Sequence, residues 1–82
     1  ALNVARAIHL AEQAIVQGYA PFVPHLSHFQ HMFYHHDWQT WLDIDHAWLE
    51  VADELWRLPG FSKGANQEVA SALRLGIPVV EK

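Results

Sequence analysis

From Asn3 to Gln17 the apolar residues Val4, Ala7, Ile8, Ala11, Ala14 and Ile15 recur at spacings of three and four. That period lines one face of a helix and predicts α-helix over the stretch. Asn3 stands where an N-cap belongs and Gly18 where a helix stops. Tyr19-Ala-Pro-Phe-Val23 then reads as a short strand ended by its prolines, and His25 to Asp37 has no period and reads as an irregular aromatic segment. A second helical period, carried by Trp41, Leu42, Asp45, Trp48, Leu49 and Ala52, predicts a helix from Trp38 to Asp53. Glu54–Leu58 reads as a strand closed by Pro59-Gly60, Ser62–Leu75 as a third helix capped by Gly76, and Ile77–Val80 as a last strand.

Helix and strand therefore alternate with short turns, the pattern of an α/β fold with crossover helices over a parallel sheet. The expected architecture is a single domain over residues 1–82 with an open, flavodoxin-like (Rossmann-like) sheet. Such sheets normally open on a strand that lies centrally, whereas this chain opens on a helix. The expectation is that a first strand precedes Ala1.

Composition narrows the chemistry. At 51% hydrophobic and 17% charged, with four Gly and four Pro, the sequence is that of a globular chain. Nine acidic residues stand against five basic ones, for a formal charge of −4, and the basic residues are scattered. A nucleic-acid polymer is thus not an expected partner, since binding one requires clustered positive charge. The chain has no cysteine, which excludes disulfides, thiolate metal sites and cysteine nucleophiles. The apolar runs fall far short of the ~20 residues of a membrane span, so no membrane partner is expected and the expected compartment is the cytoplasm.

The segment Gly60-Phe-Ser-Lys-Gly-Ala-Asn-Gln-Glu68 follows a strand and opens a helix, so its amides face the carboxyl edge of the sheet, where such folds bind ligands. Ser62 and the amides of Gly64 and Ala65 are candidates for holding a phosphate or sugar. The segment is not a Walker loop, lacking both its glycine spacing and its Gly-Lys-Ser/Thr ending. Glu68 lies about a turn into the helix, where a Glu is ordinarily a solvated charge that complements the dipole. Asp45 shares a stripe with Trp41, Leu42, Trp48 and Leu49, a face that otherwise reads as buried, while Asp43 falls off that stripe and reads as solvated. A carboxylate on a buried face must be paired, hydrogen-bonded or protonated; the plain alternative for Asp45 is a helix-end charge on a backbone amide. Two carboxylates on one cleft suit glycosyl chemistry, one attacking the anomeric carbon and the other handling protons at the leaving group.

Seven histidines and four tryptophans are many for this length, and five of the histidines fall between His25 and His36. The spacing permits a metal, but no HExxH or other diagnostic motif is present. The expectation is no metal and no cofactor. The segment reads instead as a loop lining a pocket for a flat ring, with His25 and His28 as its members, and with a surface or interface role for the other histidines.

Asn3-Val-x-Arg-Ala-Ile8, Gly18-Tyr-Ala-Pro-Phe-Val-Pro-His-Leu-Ser-His-Phe29, Trp41-Leu-x-x-Asp45, Ser62-x-Gly-Ala-x-x-Glu68-Val-x-x-Ala72 and Leu75-Gly-Ile-Pro-Val79 together resemble a bacterial and phage family of unknown function. That family is placed with the nucleoside 2-deoxyribosyltransferase-like proteins, and the resemblance spans essentially the whole chain. It implies that Glu68 is the nucleophile that attacks the anomeric carbon of a deoxyribose, with Gly64 opening the turn before it. By the same resemblance Asp45 contacts the sugar or assists departure of the base, and Ser62 holds a 5′-phosphate as in the deoxynucleoside monophosphate N-glycosidases. The implied substrate is a small nucleoside or nucleotide and the implied assembly a homodimer or larger homo-oligomer. Two features depart from the pattern. The glycine-rich first strand of the relatives has no counterpart, and the aspartate that precedes the nucleophile in the transferases is absent from Ser62-Lys-Gly-Ala-Asn-Gln67. The reading from another class is a non-catalytic nucleotide-binding or sensing domain of the same fold.

Overall fold

The computed structural model describes residues 2–58 and 63–82. The described residues form four α-helices and a two-stranded parallel sheet, a mixed α/β arrangement, in two compact units of residues 1–36 and 37–82.

The first unit contains α1 (Leu2–Val16) and α2 (Ser27–Phe33), with a 3₁₀ turn at Pro24–Leu26 that touches both helices. Ala7 and Ala14 on the predicted face of α1 are buried. Gly18, at φ +94°, ends α1. Its amide reaches the Ile15 carbonyl at 3.0 Å and the Tyr19 amide reaches Ala14 at 2.9 Å, which together satisfy the last free carbonyls. The strand expected over Tyr19–Val23 does not form: these residues carry no regular structure. Pro21 lacks the N–H that a ladder needs, and Val23 is held extended ahead of Pro24. The irregular segment expected over His25–Asp37 instead includes the 3₁₀ turn and seven-residue α2, with Pro24 supplying a preset φ at the start of the turn.

The second unit is built from α3 (Trp38–Leu49), β1 (Leu55–Arg57), α4 (Lys63–Leu75) and β2 (Val79–Glu81). The strands pair in parallel, Leu55 with Val79, Trp56 with Val80 and Arg57 with Glu81, so α4 is the crossover of a β-α-β unit. Helix α3 stops four residues before the expected end, because Val51 and Ala52 bond back to Trp48 and Leu49 at 3.2 and 3.0 Å in a closing turn. Helix α4 packs on α3 and on both strands. Its fully buried Ala72, with no side chain beyond Cβ, permits close approach. Gly76 at φ +74° closes α4 as Gly18 closes α1, with Ile77 bonded to Ala72 at 2.8 Å.

Candidate functional site

Asp45 and Glu68 meet. Asp45 is on the face of α3 that also carries buried Leu49, and Glu68 is the sixth residue of α4, the helix packed against it. Both side chains are half-buried, and the two carboxyls hydrogen-bond to each other. Burial pushes Glu68 up to about 7, with further rises from the charge of Asp45 and from their hydrogen bond. Burial also raises Asp45, opposed by the hydrogen bond from Glu68. Both acids are therefore harder to ionise than a free carboxyl. Asp45 Oδ1 is buried and has no hydrogen-bond partner, an uncompensated acceptor within the pair.

The two acids line a cleft of about 370 Å³ between α3 and α4, at the lower end of the volumes that hold small molecules. Leu42 and Leu49 give it an apolar wall, and His46, Ser71 and Arg74 add polar groups. His46 Nε2 lies 3.2 Å from Glu50 Oε1. Asp43 is exposed, as expected from its place off the stripe, and accepts a 2.8 Å bond from Gln39 Nε2.

A second polar cluster joins the end of β1 to the first turn of α4. Arg57 Nη2 donates to Asn66 Oδ1 at 3.1 Å and Nη1 to Glu81 Oε1 at 3.3 Å. This fastens the opening of α4 to the carboxyl end of β1, where the sequence placed the anchor for a phosphate or sugar. Gly64 and Ala65 belong to that first turn, whereas Ser62 lies outside the described residues. Sequence reasoning passed over Arg57 and Asn66. The signal available was a lone arginine at the last position of a strand, two residues before Pro59 in the sequence.

The two histidine candidates belong to the first unit. His25 sits in the 3₁₀ turn of the first unit, where partial burial of its ring lowers its pKa, and His28 is in α2 with its ring edge against Phe29 at 6.2 Å. Their segment is no loop: it is folded on itself through His31, whose ring stacks on His35 at 4.6 Å and whose Nδ1 accepts from the His36 amide at 3.2 Å. Among the described residues no group of three or more His, Asp or Glu is placed to hold a metal ion, and no helix is long and apolar enough to cross a membrane.

A family model described as a domain of unknown function, DUF7768, matches residues 1–82. No curated protein and no solved structure matches the chain.

Proposed function

The chain belongs to the DUF7768 family, and we propose that it cleaves the N-glycosidic bond of a nucleoside or nucleotide, with Glu68 as nucleophile and Asp45 as its acid partner. The observation that carries this reading is the hydrogen-bonded pair of carboxyls lining one cleft. A lone half-buried Glu would offer a nucleophile without an acid. A pair that shares one proton offers both, once the proton resides on Asp45.

In the proposed reaction the proton moves from Glu68 to Asp45 as substrate enters. A Glu68 oxygen then forms a bond to the anomeric carbon while the bond from that carbon to the base nitrogen breaks. The electron pair leaves with the base, and Asp45 supplies the proton that neutralises it. Water, deprotonated by Asp45, releases the sugar from Glu68 in a second step, which returns one proton to the pair.

The α3–β1–α4–β2 run is, in this reading, part of an open flavodoxin-like sheet of the nucleoside 2-deoxyribosyltransferase-like type. Ser62 and the amides of Gly64 and Ala65 anchor the phosphate or sugar, and His25 and His28 serve the base. Self-association belongs to the same reading. Phe29, Met32, Phe33 and Tyr34 are at least half exposed, an apolar load that a second copy would cover. The test is release of free base from deoxynucleosides or their monophosphates, compared between the native protein and Glu68→Ala. Release that does not depend on Glu68 contradicts the mechanism, and binding without release points to a nucleotide-binding domain.

A further inference from the structure

On α4, Ser71 follows Glu68 by one turn and Arg74 follows Ser71 by another, and all three line the same cleft. Arg74 Nη2 donates to Ser71 Oγ at 3.0 Å, which folds the guanidinium back along the helix toward the turn that bears Glu68. Six residues of helix separate Arg74 from Glu68 by roughly 9 Å of rise, a gap that a long arginine reaching backward shortens. The bond to Ser71 uses one of the five guanidinium donors and leaves the serine proton free to donate to the same ligand.

The other described basic side chains of this unit are occupied. Arg57 is held by Glu81 and Asn66, and the Lys82 ammonium lies 4.0 Å over the Trp56 ring. Arg74 has a neutral hydroxyl as its partner, so its charge is not cancelled by a hydrogen-bonded carboxylate. The acids of the cleft are Asp43, engaged by Gln39, and the Asp45–Glu68 pair, and His46 faces Glu50. Positive charge thus sits at the Ser71–Arg74 end of the cleft and negative charge at the pair.

We propose that Arg74 and Ser71 form an anion subsite, and that it makes the cleft select a nucleoside monophosphate over the free nucleoside. A sugar with its anomeric carbon at Glu68 carries its 5′-phosphate on the far side of the ring, away from the negative pair and toward Arg74. Guanidinium and hydroxyl match a phosphate as a forked donor plus a single donor. This subsite does not involve Ser62, which precedes α4 in the sequence. The sugar's orientation rests on the glycosyl-transfer reading, whereas the preference for an anion does not.

The experiment is calorimetric titration, in phosphate-free buffer, of the native protein, Arg74→Met, Arg74→Lys and Ser62→Ala with the four 2′-deoxynucleosides and their 5′-monophosphates, alongside base release from each. Arg74 is exposed, so Arg74→Met is expected to keep the thermal midpoint of the native protein. The expected result is roughly 10- to 100-fold tighter binding of at least one monophosphate than of its nucleoside. Arg74→Met abolishes that preference with nucleoside binding unchanged, and Arg74→Lys restores part of it. Three results overturn the proposal: no preference in the native protein, equal weakening of both ligands by Arg74→Met, or a preference lost in Ser62→Ala and kept in Arg74→Met. An Arg74-dependent preference without base release sustains the subsite and defeats the glycosidase reading.

Discussion

Glu68 behaves as two residues in one. As a structural group it resists ionisation, since burial and the neighbouring Asp45 charge hold it near 7 against an ordinary 4.5. As a nucleophile it must ionise. The folded state keeps the proton between about 4.5 and about 7 while the unfolded chain releases it, so this group costs stability as pH rises through that window. Glu68→Gln removes the cost while keeping a donor toward Asp45. Thermal unfolding should show the variant more stable than the native protein at pH 8, by an amount on the order of 2 kcal/mol, and equal to it near pH 4. The same substitution should lower base release by at least about 10³-fold. In the native protein release should fall as pH rises through about 7, because the pair then loses the proton that Asp45 must deliver to the base. Asp45→Asn removes that acid together with the charge that lifts Glu68, and should lower release and abolish its fall near pH 7, readable in a pH–rate profile. The meeting of the two acids was legible in part. Asp45 on an apolar stripe announced that it needed a partner, whereas Glu68 alone carried the pattern of an ordinary first-turn charge. What the sequence lacked was the distance between the helices.

Among the elements, the two glycine-capped helices were the most readable, because the apolar period and the stop signal agree at Gly18 and at Gly76. Both adopt positive φ, which only glycine takes without strain. Gly76→Ala finds open space for its Cβ, so its penalty is conformational alone, about 1 kcal/mol, checked by urea unfolding. Leu49, buried on α3, should cost about 2–4 kcal/mol on truncation to Ala. The strand read over Tyr19–Val23 failed for a local reason: an apolar run with two flanking or internal prolines has the composition of a strand and too few donors for a ladder. Helix α2 escaped notice because seven residues rich in His and Phe are too few to display a period.

For the whole molecule, the described residues bury fully no large side chain. Four residues, Ala7, Ala14, Leu49 and Ala72, make up the buried apolar set, while Phe33 is 83% exposed. A chain of this size gains little from its own core, and the proposed self-association supplies cover that the single chain lacks. Sedimentation equilibrium at micromolar concentration should return a multiple of 9.4 kDa, and Phe33→Asp should return the monomer. The central claim concerns chemistry rather than assembly, and one assay reaches it most directly. Chromatographic detection of free base, after incubation with each deoxynucleoside and its 5′-monophosphate, should show release by the native protein and none above background with Glu68→Ala. Equal release from both proteins, or none from the folded native protein with any substrate, contradicts the account.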